Sequence, residues 1–181
     1  MNWPPEARGY FAIGAERMSK SLNLGNLMRS AHGFGASFTF TVGGDYEALE
    51  AKADTSKGRE HVPHYDWANP SEIALPATCQ LVGIELIDDA IDLPSFRHPL
   101  RAAYIVGPER GALSDDILSR CDYCVKIPTK FCVNVAMAGA IVMYDRVKSM
   151  ARFADRPVRV GGPDTPVSPH VHGGPLIRTA G

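Results

Sequence analysis

The sequence predicts an α/β domain with a mostly parallel sheet flanked by helices. Three observations lead there. Short β-branched and aromatic runs alternate with segments of helical periodicity, Gly- and Pro-bearing turns separate them, and 181 residues suit one domain with a sizeable core. The run YFAI over residues 10–13 reads as a short buried strand, followed by a Ser/Asn/Gly-rich turn. Across residues 23–35 the apolar positions Leu24, Leu27, Met28 and Ala31 follow the i, i+3, i+4, i+7 pattern of an amphipathic helix. Asn26, Arg29 and Ser30 fall off that stripe, and Gly35 suits a C-terminal cap. Residues 37–42 (SFTFTV) form a strand ended by Gly43 and Gly44. The polar stretch 45–76 predicts a short helix over 46–52, loops and one weak strand. Residues 80–86 and 102–106 read as buried strands. Ser114 caps a helix running through Ser119, with Asp115 and Asp116 placed favourably in its first turn. Residues 123–127 form another strand, stopped by Pro128. The last helix covers 133–150, apolar on all sides over 135–144 and charged beyond.

After Met150 the composition changes. Pro157, Pro163, Pro166, Pro169 and Pro175, with Gly161, Gly162, Gly173 and Gly174, describe an irregular tail without a core of its own. The expected organisation is therefore a domain over 8–150 and a Pro/Gly-rich tail over 151–181.

The 45% hydrophobic and 22% charged content excludes the disordered and fibrous classes. The longest apolar stretch, 135–144, is shorter than the ~20 residues of a membrane span. The opening residues lack the basic and apolar regions of a signal peptide, so a cytoplasmic protein without membrane attachment is expected. Net charge is −1, so a polyanion would have to be met by a local patch. Arg97, Arg101, Arg110, Lys126 and Lys130 are the candidates, with Lys52, Lys57 and Arg59 from an earlier loop. Cys121 and Cys124 have C-x-x-C spacing, but no second Cys/His pair completes a zinc site. His170 and His172 alone are too few to hold a metal. Reduced structural cysteines and no metal are expected.

Three segments carry the candidate chemistry. The first, over 23–31, sets Arg29 on the polar face of a helix whose other side packs into the core. The second, over 105–111, is a strand running into a Gly/Pro loop before a helix, a usual ligand position in α/β folds. It lacks the G-x-G-x-x-G dinucleotide fingerprint. The third, over 127–140, is rich in small residues that permit close backbone approach to a ligand or to another helix. Taken singly, each has a plain structural reading.

Together and in this order they resemble the three signature motifs of the SpoU (TrmH-like) family of SPOUT RNA 2′-O-ribose methyltransferases. Asn23, Gly25, Arg29, Ser30 and Ala31 match the first motif. Ile105, Val106, Gly107, Glu109 and Leu113 match the second, and Ile127, Pro128, Asn134, Ala136 and Ala138 the third. The resemblance spans roughly residues 8–150. Three departures stand out. Ala112 occupies the last glycine position of the second motif, with Gly111 one residue earlier. Cys132, Val133 and Asn134 stand where Ser-Leu-Asn is usual, and the loop after Pro128 is about three residues shorter.

The resemblance implies a deep trefoil knot formed by about 104–150, and S-adenosylmethionine (SAM) as cofactor. It also implies a homodimer with an active site shared across the interface. The substrate would be RNA, with tRNA favoured over rRNA because no added RNA-binding domain precedes Tyr10. Arg29, Asn23, Glu109 and Asn134 would be the catalytic set. Arg29 would clamp a phosphate and stabilise the developing alkoxide, and Asn23 would orient Arg29 or the ribose. Glu109 would hold the second-motif loop or Arg29, and Asn134 would fix the third loop. Val106, Gly107, Glu109, Gly111, Ile127, Pro128, Val133 and Ala136 would bind the cofactor. A knotted RNA-binding protein without catalysis is the alternative, suggested by Cys132 and the shortened loop.

Overall fold

The structure, a computed structural model, describes residues 9–44 and 62–163. Among these residues seven strands form one sheet: β1 (Tyr10–Glu16), β2 (Phe38–Val42), β3 (His64–Trp67), β4 (Gln80–Ile84), β5 (Ile91–Asp92), β6 (Arg101–Val106) and β7 (Tyr123–Lys126). Their order is β3-β2-β1-β6-β4-β7-β5, and each pairing is parallel. The expected parallel α/β domain is thus what the chain forms. Parallel sheets are covered on both faces, so their central strands read as continuous apolar runs. In β1 every residue after Tyr10 is buried, and in β6 every residue after Arg101.

Among the described residues three α-helices accompany the sheet: α1 (Ser21–Phe34), the single turn α2 (Asp115–Leu118) and α3 (Val135–Met150). The predicted stripe of α1 is buried, and Gly35 ends the helix at φ 76°, a left-handed conformation that glycine adopts without a Cβ penalty. Ser114 caps α2 through a hydrogen bond from the Ile117 amide. One core cluster packs α1 and α3 on the sheet, with Leu24, Leu27, Val106, Val142 and Met143 among its members. A second, around Phe40, Ile105, Leu113 and Ile117, fills the other face.

Gly139 is where α3 lies against α1. A Cβ there would stand 2.5 Å from Leu27 Cδ1 and 3.0 Å from Ile13 Cδ1, so the small residue permits the close approach of the two helices.

Two features depart from what local pattern alone suggests. In the last helix the apolar Met137 and Tyr144 are each 56% exposed, while Arg146 is 1% exposed. Arg146 is buried because its guanidinium has carbonyl partners. It donates to the carbonyls of Pro99 (2.6 Å), Leu100 (3.0 Å) and Tyr10 (3.1 Å) and to the Tyr104 hydroxyl (3.2 Å). It thereby ties the end of α3 to the amino ends of β1 and β6, and it lies near the Phe11 and Tyr104 rings. The second is β5, a two-residue strand that among the described residues pairs with β7 alone. The weak strand expected within 45–76 is β3, and the helix expected over 46–52 lies outside the described residues. By contact the chain divides into Met1–Ala151 and Arg152–Gly181. Among the described residues no helix is long and apolar enough to cross a membrane.

Candidate active site

The carboxyl ends of β4, β6 and β7 run into loops that, with the start of α1, enclose a cleft of about 380 Å³. Ligands in parallel α/β sheets bind at this end of the strands, and small-molecule sites fall at ~300–1,000 Å³. Ile84, Leu86, Val106, Ile127, Val133 and Ala138 supply apolar wall. Lys20, Asn23, Glu85, Glu109, Lys126 and Asn134 supply polar groups.

Glu109 is half-buried, and its carboxylate turns back to the start of α1. It accepts hydrogen bonds from the amides of Ser19 (3.1 Å) and Lys20 (2.9 Å), the Ser19 hydroxyl (3.0 Å) and Asn23 Nδ2 (3.1 Å). α1 has no side-chain cap of its own and no acidic residue in its first turn. A carboxylate from about 90 residues away supplies the negative charge that a helix N-terminus favours. Burial works to raise the Glu109 carboxyl, but the donors of Ser19, its own backbone, Lys20 and Asn23 outweigh it and hold the group down at about 2.

Asn23 passes the connection on. Its Oδ1 accepts from Asn134 Nδ2 at 3.0 Å, while Asn134 Oδ1 accepts from the amides of Ala136 (2.9 Å) and Met137 (3.2 Å), capping α3. Glu109, Asn23 and Asn134, one from each of the three sequence motifs, therefore form a single hydrogen-bonded chain along the cleft.

Of the other residues singled out from sequence, Val106, Gly107, Gly111, Ile127 and Val133 line the cleft, and Pro128 and Ala136 do not. Ala136 is buried in the core beneath it. Arg29 is exposed on the outer face of α1, about 9 Å along the axis from Asn23 at 1.5 Å per residue. It does not line the cleft. The hydrogen-bond partners of the Asn23 side chain in the cleft are Glu109 and Asn134.

The charges expected to gather in one patch divide. Arg101, at the amino end of β6, donates to the Thr78 hydroxyl. Lys126, at the carboxyl end of β7, donates to the carbonyls of Ile87 (3.4 Å) and Asp88 (3.0 Å). Arg97, Arg110 and Lys130 are exposed. Lys52, Lys57 and Arg59 lie outside the described residues, as do His170 and His172. The cysteines are free. Burial, reinforced by the neighbouring Cys124, pushes the Cys121 thiol up to about 12, so it is no thiolate nucleophile. Among the described residues no cluster of His, Cys, Asp and Glu could hold a metal.

Sequence reasoning missed two carboxylates. Glu85 lines the cleft and accepts from the Leu113 amide at 2.8 Å and the Leu86 amide at 2.9 Å. Glu16 is 2% exposed and accepts from the Ser114 amide at 2.8 Å. Both follow or end apolar strands, and only their position at the carboxyl ends of β4 and β1 marked them out.

Fold and site together define a parallel α/β domain with a ligand-sized cleft closed by three loops and a helix N-terminus. The chain belongs to the SpoU rRNA Methylase family, whose model matches residues 10–144. It is 25% identical over 147 residues to the mouse tRNA (guanosine(18)-2′-O)-methyltransferase TARBP1, covering 74% of this chain and 9% of that protein. The fold matches that of the SpoU methyltransferase AviRb from Streptomyces viridochromogenes in complex with AdoMet. The TM-score is 0.69 at 24% identity, over 80% of this chain and 59% of that one. It also matches the TrmH/SpoU tRNA modifying enzyme of A. aeolicus, with TM-score 0.67 and 16% identity over 80% of this chain and 77% of that one. The chain thus spans under a tenth of the mouse relative's length and about three fifths of the Streptomyces chain.

Proposed function

We propose that this chain transfers the methyl group of SAM to a ribose 2′-oxygen of RNA, acting as a cytoplasmic homodimer with tRNA favoured over rRNA. The observation that carries the reading is the hydrogen-bonded chain Glu109–Asn23–Asn134, which joins three dispersed motifs along a cleft suited to the cofactor. Its residues fit SAM on chemical grounds. Apolar walls suit the adenosine, loop backbone from 107–111 and 127–135 is available to its polar edges, and carboxylates at Glu85 and Glu109 complement a cationic ligand. At Gly107 a Cβ would come 3.0 Å from the Leu113 amide nitrogen, so a bare backbone lines the cleft there.

When bound, SAM supplies the methyl group on a sulfonium leaving group, so the protein's work is placement. Aligning two reactants contributes ~7–11 kcal/mol, whereas a general base adds ~10²–10⁴-fold. Placement is the larger effect, and the rigid Glu109–Asn23–Asn134 chain serves it. Arginine side chains are poor bases in proteins, so a base role does not suit Arg29. It holds an RNA phosphate and stabilises charge developing on the ribose oxygen. Because Arg29 faces outward from its own cleft, this role belongs to the cleft of a second protomer. The exposed Leu22, Met137 and Tyr144 on α1 and α3 supply apolar surface for that pairing, and the knotted threading of about 104–150 goes with the same reading. Support for tRNA comes from the tRNA substrates named for the mouse and A. aeolicus relatives.

The test is methyl transfer from radiolabelled SAM to bulk cellular RNA by wild type and Arg29→Ala, with the products identified as nucleosides by mass spectrometry. Label in a 2′-O-methylnucleoside, lost in Arg29→Ala at unchanged SAM affinity, is expected. Label on a base overturns the reaction. Undiminished transfer by Arg29→Ala overturns the arginine's role. No label despite SAM binding favours the catalytically silent RNA-binding protein.

A further inference from the structure

Two carboxylates face the cleft, and they differ in what they have left to offer. An ionised carboxylate has about four lone-pair sites. Glu109 fills all four with Ser19, Lys20 and Asn23. Glu85 fills two, one oxygen taking the Leu113 amide and the other the Leu86 amide. Its remaining acceptor capacity lies on a residue that lines the cleft. The cleft's own cations do not neutralise it. The Lys126 ammonium is turned to the Ile87 and Asp88 carbonyls, and Glu85 makes no ion pair among the described residues. Glu85 Oε2 is also 3.5 Å from the point where a Cβ on Gly107 would stand. The carboxylate therefore flanks the bare backbone at the start of the second-motif loop. Among the described residues this half-buried carboxylate is met by two amides and by no cation, which leaves it free to attract a positive group in the cleft.

We infer that Glu85 is a specificity-determining residue that favours a cationic sulfonium over the neutral thioether left after methyl transfer. The inference rests on the SAM reading above. It separates Glu85 from Glu109: the acceptors of Glu109 are all taken by the protein, whereas Glu85, which also holds the Leu113 amide, keeps capacity to read the charge of the ligand. The physical consequence is directional. Loss of the methyl group removes the ligand's sulfonium charge and with it the attraction to Glu85, so the spent cofactor is released more readily than a charge-blind site would release it. A residue that merely held the 107–113 loop would affect both ligands alike.

The experiment is calorimetric titration of SAM and S-adenosylhomocysteine into wild type, Glu85→Gln and Glu85→Asp. Glutamine keeps the shape and an acceptor for the Leu113 amide but removes the charge. It is expected to weaken SAM by about tenfold, the scale of one partly screened charge contact, and S-adenosylhomocysteine by less than about twofold on the same physics. Glu85→Asp, which keeps the charge, is expected to keep most of the preference. An equal loss for both ligands in Glu85→Gln overturns the inference and makes Glu85 a loop support or a partner of a group common to both. As a measurement independent of any variant's folding, wild-type affinity for SAM should fall more steeply with salt than that for S-adenosylhomocysteine. Parallel salt dependences also overturn it. Absence of SAM binding by the wild type overturns the cofactor reading itself, a different failure from binding without discrimination.

Discussion

Glu109→Gln isolates the junction between the second motif and α1. The substitution keeps the side chain's size and removes its charge, and it leaves the four donors of Ser19, Lys20 and Asn23 at 2.9–3.1 Å facing one carbonyl oxygen and one amide group. A hydrogen bond to a charged group contributes ~1.5–3 kcal/mol. Because Glu109 is only half-buried, solvent screening brings the expected net loss to roughly 1–2 kcal/mol. For a chain of this size that lowers Tm by roughly 2–8 °C.

The pH dependence has a definite sign. The folded carboxyl titrates at about 2, below its ordinary 4.5, so the unfolded chain takes up its proton first as pH falls. The contribution is complete above pH 4.5 and is lost on acidification toward pH 2. Urea unfolding of wild type and Glu109→Gln at pH values from 7 down to 3 measures the difference directly, since other titrating groups are common to both. The stability gap should be widest at neutral pH and should narrow below pH 4.5. A gap that stays constant with pH, or no gap at pH 7, would refute the reasoning.

Two further perturbations test the frame around the site. Gly139→Ala places a methyl group 2.5 Å from Leu27 Cδ1 where α3 meets α1, and overpacking of this kind costs ~1–3 kcal/mol; chemical denaturation should show the loss with little change in ligand affinity. Arg146→Met removes the buried guanidinium that holds the carbonyls of Tyr10, Pro99 and Leu100. Leaving a buried acceptor unpaired costs ~1–3 kcal/mol, read as a lowered unfolding midpoint, and because these contacts lie at the opposite end of the sheet from the cleft, SAM affinity at low temperature should be retained.

What could be read from sequence was what local pattern encodes. The stripe of Leu24, Leu27, Met28 and Ala31, the left-handed cap at Gly35 and the Ser114 cap each depend on a few neighbouring residues, and all three appear where the pattern put them. β1 runs three residues past residue 13 because its later positions pair with β2 and β6, a non-local cause. β5 has only two residues and owes its existence to β7. Arg146 follows the apolar part of α3 and looks solvated by composition, yet its partners lie 42–136 positions away. The motif residues themselves were legible as types in a spacing. That Glu109 reaches Asn23 and Asn23 reaches Asn134, across 86 and 111 positions, is a product of the fold.

The replacement of a motif glycine by Ala112 finds its explanation in the same loop. Gly111 adopts φ +109°, a conformation L side chains rarely take, whereas Ala112 is not among the positive-φ residues. The left-handed position in this loop is the one that glycine fills, and the alanine sits where a Cβ is tolerated. The loop beyond it is fixed by carboxylates from other strands, with Glu85 holding the Leu113 amide and Glu16 the Ser114 amide. Glu109, within the loop, reaches out to hold Ser19 and Lys20. Anchored in both directions, the segment keeps its backbone facing the cleft with Gly111 at the left-handed position. What matters there is where the left-handed residue and the anchoring carboxylates fall, rather than the register of the motif as written in sequence.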